Sequence, residues 1–165
     1  MNTGMIWQTH TVSSAETERL GQAMGRLLNP PAVLELCSDL GGGKTTFVRG
    51  LVKGLGSADR VSSPTFTLNK IYKAKNFKIH HFDFYRLPEP GVVSDQLKES
   101  LQSSRVITVV EWSDIVRNVL PNDRITINFS PSPNSSDERL IEFTLPSSKL
   151  KIIEKLRTEL AEPEP

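Results

Sequence analysis

The sequence contains a single cysteine, Cys37, so no intramolecular disulfide can staple the chain, and Cys37 has no zinc-ligand spacing to His80 or His81. A reducing, cytosolic setting is the expectation. Neither sign of charge is in excess: 20 Lys and Arg face 19 Asp and Glu, interspersed along the chain. That balance predicts no basic face able to capture a phosphate backbone, so any nucleic acid would have to be held through a partner. No apolar run approaches the length that crosses a bilayer, and MNTGMIWQTHTVSS shows no basic stretch followed by an apolar one. Internal repeats and long linkers are absent as well. With 165 residues, 37% of them hydrophobic, the chain can bury one sizeable core but hardly two. The expectation is one domain over residues 1–160 with a frayed tail at 161–165.

What is present alternates between two periodicities. Residues 5–12 are β-prone, and Ser13-Ser14-Ala15-Glu16 offers a capping box for a helix carrying Leu20, Ala23, Met24, Leu27 and Leu28 on one face. Asn29-Pro30-Pro31 ends it. A short apolar run, Val33 to Cys37, leads into glycines, after which Phe47, Val48, Leu51, Val52 and Leu55 repeat at helical spacing up to Gly54 and Gly56. Strands are expected at 66–72 and 78–84, a helix through Val93, Leu97 and Leu101, and an apolar strand at 106–110. Two more strands, 125–129 and 140–145, flank a loop rich in Ser, Pro and Asn, and Ser147 or Ser148 should cap a last helix. The pattern predicts an α/β fold: a central mixed β-sheet flanked by helices, of the P-loop NTPase kind.

The glycine segment, Asp39-Leu40-Gly41-Gly42-Gly43-Lys44-Thr45-Thr46, lies between a strand and a helix. Glycines let the backbone turn its N–H groups inward, and the helix beginning near Lys44 adds the positive end of its dipole, so a polyphosphate meets preset donors. Lys44 would reach the outer phosphates, and the Thr45 hydroxyl would complete the shell of a magnesium ion bridging them. The first position of the usual G-x-x-x-x-G-K-[ST] pattern is Ser38 here. A positive φ at that residue would cost of order 1 kcal/mol. The bland alternative is a flexible glycine turn that happens to precede a lysine.

Magnesium and ATP would need carboxylates at the ends of neighbouring strands. Asp83 closes Ile79-His80-His81-Phe82 and Glu111 closes Val106 to Val110. Either could hold the metal or orient the attacking water. For Asp83 a turn role competes, and for Glu111 partial exposure at the strand end. Trp112 could stack on a ligand or simply edge the core, and His80 and His81 read as structural.

Taken together, the segment from Asp39 to Thr46, Ser63-Pro64-Thr65-Phe66-Thr67-Leu68, His81-Phe82-Asp83-Phe84-Tyr85-Arg86-Leu87 and Glu111-Trp112 resemble the bacterial TsaE (YjeE) family. The resemblance implies an ATPase needed to form N6-threonylcarbamoyladenosine at position 37 of tRNAs that read codons beginning with A. It would work beside TsaD and TsaB while TsaC makes the activated donor, and would reset the complex rather than transfer the group. By matching positions, the resemblance makes Gly41, Gly42, Gly43, Lys44 and Thr46 part of the nucleotide loop with Leu40, and Thr45 and Glu111 magnesium ligands. Asp83 becomes a candidate catalytic carboxylate, Trp112 a flank of the site, Thr65 and Thr67 part of a switch, and Ser14 a neighbour of the adenine. Two positions depart from the family: Ser38 stands where glycine is usual, and Gly91-Val92-Val93 where a Glu-Glu-Leu stretch is usual. No obvious arginine finger accompanies the loop, which implies slow turnover without partners. A small-molecule kinase and a nucleotide-sensing module without useful hydrolysis are the rival classes.

Overall fold

The alternating segments assemble into one sheet in a computed structural model, which describes residues 4–39 and 41–162. Its strands are β1 (Met5–Thr11), β2 (Ala32–Cys37), β3 (Asn69–Lys73), β4 (Lys78–Asp83), β5 (Val106–Glu111), β6 (Ile125–Pro131) and β7 (Arg139–Leu145). The helices are α1 (Ser14–Leu27), α2 (Lys44–Gly54), α3 (Gly91–Gln102) and α4 (Leu150–Ala161). The strand order is β1-β7-β6-β2-β5-β4-β3. β6, β2, β5 and β4 run parallel; β3 pairs antiparallel with β4 on one side, and on the other β7 pairs antiparallel with both β6 and β1. This is the mixed, helix-flanked α/β architecture expected from the sequence.

Each face of the sheet has its own core. Leu34, Leu36, Ile79, Ile107 and Val109 pack with α1, α2 and α4 on one face; Phe82 and Val110 pack with Leu97 of α3, Phe84, Val116 and Leu120 on the other. All six residues of β5 are buried, as a parallel strand covered on both faces requires. α1 and α2 touch almost backbone to backbone. A Cβ on Gly50 would lie 1.9 Å from the Glu18 carbonyl oxygen, and one on Gly21 would lie 2.2 Å from that of Phe47. The glycines of α2 therefore let this helix, and the loop at its head, seat against α1.

Local chemistry decides several boundaries. Ser13 caps α1, its Oγ accepting from the Glu16 N–H at 3.2 Å, but the Glu16 carboxylate reaches one residue further back, to the Val12 N–H, at 2.8 Å. The expected strand at 66–72 starts only at Asn69, because 65–68 form a turn in which the Leu68 N–H donates to the Pro64 carbonyl and Leu68 takes φ 64°. Phe66 is 98% exposed on that turn. Neither Ser147 nor Ser148 caps α4; both lie in a 3-10 turn, Ser147–Lys149, and the cap position is Lys149. Of the tail expected to fray at 161–165, Ala161 closes α4 and the Glu162 carbonyl accepts from Arg19 Nη2 at 2.8 Å; residues 163–165 lie outside the described residues.

Behind β2 sits a buried carboxylate that the sequence did not single out. Glu35 is 2% exposed and accepts from Ser113 Oγ, from Arg124 Nε at 2.7 Å and from Thr126 Oγ1 at 3.1 Å. Burial pushes its pKa up, but the hydrogen bonds from Ser113 and Arg124 outweigh this and hold it below the ordinary value of 4.5. Because the folded pKa is the lower one, the stabilisation is complete above the unfolded value and fades as pH falls through the folded value. Glu35→Gln should therefore cost about 2 kcal/mol at neutral pH and clearly less near pH 3. Urea unfolding at the two pH values checks this; an equal or larger cost in acid would contradict it.

Candidate functional site

The loop after β2 is held in shape by three glycines, each for its own reason. Gly41 and Gly43 take φ 73° and 97°, in the left-handed region that glycine tolerates. Gly42 is needed for space, since a Cβ there would lie 2.3 Å from Ser38 Oγ. The strain expected at Ser38 does not occur: the described non-glycine residues with positive φ are Leu68, Arg86 and Trp112. Ser38 instead uses its hydroxyl, which accepts from Lys44 Nζ at 2.7 Å and donates to the Asp39 carbonyl at 2.8 Å.

Lys44 opens α2, whose first N–H groups have no intrahelical acceptor. Its ammonium also donates to the Ser38 and Asp39 carbonyls at 3.2 and 3.3 Å and lies 4.8 Å from the Trp112 ring centroid. Burial pushes the Lys44 pKa down, and the charges of Glu111 and Asp83 push back. A buried cation beside a helix N-terminus is suited to an anion bearing several charges.

The two carboxylates meet beside it because of sheet register. Asp83 pairs with Glu111, and Leu36, two residues before Ser38, pairs with Glu111 on the other side. Both carboxylates are almost fully buried. The two oxygens of Asp83 hold two different segments: Oδ2 accepts from Thr65 Oγ1 and Oδ1 from the Tyr85 N–H, each at 2.8 Å. Burial raises the Asp83 pKa, the Glu111 charge adds to the rise, and those two hydrogen bonds oppose it. Glu111 Oε1 is 2.8 Å from His81 Nε2, which leaves Oε2 for the cleft that Glu111 lines. His81, read from sequence as structural, thus orients the strand-end carboxylate; it shares a sheet face with Asp83 and lies diagonal to Glu111.

These groups line a cleft of about 380 Å³. Ser14, Gly41, Gly42, Gly43, Lys44, Thr45, Thr46, Asp83, Glu111 and Trp112 all reach it, together with Ser63 and Thr65. Leu40 lies outside the described residues. Thr67 is not in the lining; its hydroxyl contacts the Pro64 carbonyl at 3.5 Å. Thr17, Asp137 and Arg139 complete the wall and were missed from sequence.

Of these Arg139 is the most consequential. Its Nε donates to the Gly42 carbonyl and its Nη2 to the Gly41 carbonyl, both at 3.1 Å, while Nη1 donates to the carbonyls of Ser136 and Glu138. One guanidinium thus ties the loop before β7 to the glycine loop and satisfies the Gly41 and Gly42 carbonyls. Its sequence separation from Gly42 left no local signal; an arginine opening a strand after a polar loop was the only trace. Removing it should loosen the loop without unfolding the sheet. Arg139→Ala is expected to weaken nucleotide binding about tenfold, and Arg139→Lys to recover little of that, because an ammonium cannot span the two carbonyls as a planar fork does. Titration calorimetry with ATP reads both; wild-type affinity in Arg139→Ala would refute the role.

The residues between 11 and 141 match the model of the family described as threonylcarbamoyl adenosine biosynthesis protein TsaE. The chain belongs to the TsaE family. Similar proteins bear the name tRNA threonylcarbamoyladenosine biosynthesis protein TsaE: one from Rickettsia conorii is 36% identical over 76% of this chain and 73% of its own length. Another, from Bacillus subtilis, is 32% identical over 87% and 88%. The crystal structure of Bacillus subtilis YdiB superposes with a TM-score of 0.79 at 30% identity, covering 96% of this chain and 99% of that one. No helix among the described residues is long and apolar enough to cross a membrane.

The donor set fits magnesium better than a softer metal. Thr45 offers a hydroxyl and Glu111 and Asp83 offer carboxylates, all hard oxygen donors. No group of three or more His, Cys, Asp or Glu among the described residues forms a metal cage. Magnesium characteristically needs none, taking the rest of its shell from phosphate oxygens and water.

Proposed function

We propose that this protein binds ATP with magnesium in the cleft around Lys44 and hydrolyses it as the ATPase of the machinery that forms N6-threonylcarbamoyladenosine at position 37 of tRNAs reading codons beginning with A. TsaD and TsaB are its proposed partners and the cytoplasm its proposed setting. The observation that carries the reading is the convergence of a buried Lys44, the turned glycine loop, and Asp83 and Glu111 on adjoining strand ends. Thr45 and Glu111 would hold the magnesium ion, which when bound would offset the charge of the phosphates.

The chain's own residues do the rest. The glycine loop and the head of α2 receive the phosphates, Lys44 offsets their outer charge, and Arg139 fixes the loop so that no reorganisation is needed. Either Glu111, steadied by His81, or Asp83 would align the water that attacks the terminal phosphate. Asp83 links that region to Thr65 on one side and Tyr85 on the other, so a change in its protonation or partners reaches both segments. This supports a switch in which the segment around Ser63 to Thr67 responds to the nucleotide and a partner completes the geometry.

Phosphate release with and without TsaD and TsaB tests the assembly. Stimulation by the pair, absent from Lys44→Ala, is the expected result; full activity of the isolated chain would remove the partner dependence. Diversion of labelled phosphate into an added hydroxyl compound would favour a kinase.

A further inference from the structure

The whole-chain charge balance conceals a concentration of charge at the far end of the sheet. Between Asn69 and Phe82 the chain carries Lys70, Lys73, Lys75 and Lys78 and no acidic residue. β3 and β4 fold this stretch into a hairpin whose turn end is tied to the start of β5, the Lys78 N–H donating to the Arg105 carbonyl at 3.1 Å. The result is a groove of about 840 Å³ between the hairpin and α3, running from Asn69 beside Phe82 to Lys73 and Lys78, so that its cations lie at the opposite end of the parallel strands from the Lys44 cleft. Lys73, Lys75, Lys78 and Arg105 all line it and are exposed, against one acidic lining residue, Glu99. None of the four cations forms a salt bridge among the described residues.

The floor adds a second kind of demand. Asn69 Oδ1 and His80 Nδ1 are buried there without a hydrogen-bond partner in the protein. The amide nitrogen of Asn69 faces Gln96 Oε1 at 3.4 Å, so its oxygen is the atom left over. Burial and the neighbouring Lys78 charge push the His80 pKa down and keep the ring neutral. Cations on the rim call for spaced anions, while the Asn69 oxygen calls for a donor. Carboxylates supply the first but not the second. A polynucleotide supplies both, through phosphates and through the hydroxyl and N–H groups of ribose and bases.

We propose that the groove between the β3–β4 hairpin and α3 is a direct binding site for single-stranded or loop RNA, its phosphates on Lys73, Lys75, Lys78 and Arg105 and its ribose or base donors on Asn69. It rests on the proposed tRNA role only for the choice of probe, and it places the RNA phosphates at the opposite end of the parallel strands from ATP.

The test is anisotropy of a labelled RNA of about 12 nucleotides, and of an unmodified tRNA, with the full chain between about 50 and 200 mM salt. Lys75→Glu/Lys78→Glu should weaken RNA binding at least tenfold and reduce the salt slope by about 1.4. It should melt as wild type does and bind ATP unchanged. Asn69→Leu should narrow the preference for RNA over DNA of the same sequence, which a purely electrostatic surface would not show. Equal RNA binding by the double variant, or displacement of the RNA by polyglutamate of matched charge, overturns the proposal, the latter in favour of an acidic protein partner. Failure of the ATPase reading would show separately, as wild-type protein that binds RNA but releases no phosphate.

Discussion

Lys44→Ala is expected to lower ATP affinity by at least about a hundredfold, roughly 2.7 kcal/mol. The ammonium has two tasks, and the substitution ends both. It is the buried cation of the cleft, and it braces the loop through the Ser38 hydroxyl and the Ser38 and Asp39 carbonyls. Without it the triphosphate loses a charge-assisted donor and meets a loop that is no longer preorganised, and Asp83 and Glu111 lose the buried cation on which their charges act. Calorimetric titration with ATP reads the effect, and a melting curve separates it from unfolding. Affinity within a few fold of wild type would mean that the loop binds something other than a polyphosphate.

Glu111→Gln is expected to lower turnover by about a thousandfold, within the range set by loss of a positioned carboxylate. Gln has the same shape and keeps an oxygen for His81, so β5 and its packing should survive. The comparison with Asp83→Asn divides the labour between the two carboxylates. If Glu111 is the metal ligand, its variant should lose the magnesium-dependent part of ATP affinity as well as turnover. Asp83→Asn should leave most of that affinity intact and act through Thr65 and Tyr85, whose bonds to the carboxylate it weakens. The reverse pattern would exchange their roles.

Much of this architecture is legible from local pattern. The apolar run of β2, the glycines and the helical repeat of α2 are contiguous, so the loop and its position follow from neighbouring residues. Asp83 and Glu111 were placed by the simple fact that a carboxylate closes each strand, and the parallel register then sets them side by side. What was misread depends on contacts distant in sequence. Thr65 to Leu68 has strand-forming residues, yet the Thr65 bond to Asp83 and the left-handed Leu68 make it a turn. Arg139 and His81 gain their roles only when β7 and β5 arrive. Ser38 was judged by the φ that a glycine motif suggests, whereas its hydroxyl accepts from Lys44 and fills the space that Gly42 leaves open. The basic groove has no trace in the overall charge balance, because the hairpin gathers in space lysines that the whole chain offsets with acids elsewhere.

The central claim is that the cleft around Lys44 hydrolyses magnesium ATP. It is tested most directly by phosphate release from ATP by the purified chain with TsaD and TsaB, with magnesium and with a chelator, for wild type and Glu111→Gln. Release by wild type that stops in the chelator and falls about a thousandfold in Glu111→Gln is the predicted result. Release that persists undiminished in the variant or without metal, or no release from wild type, would contradict it.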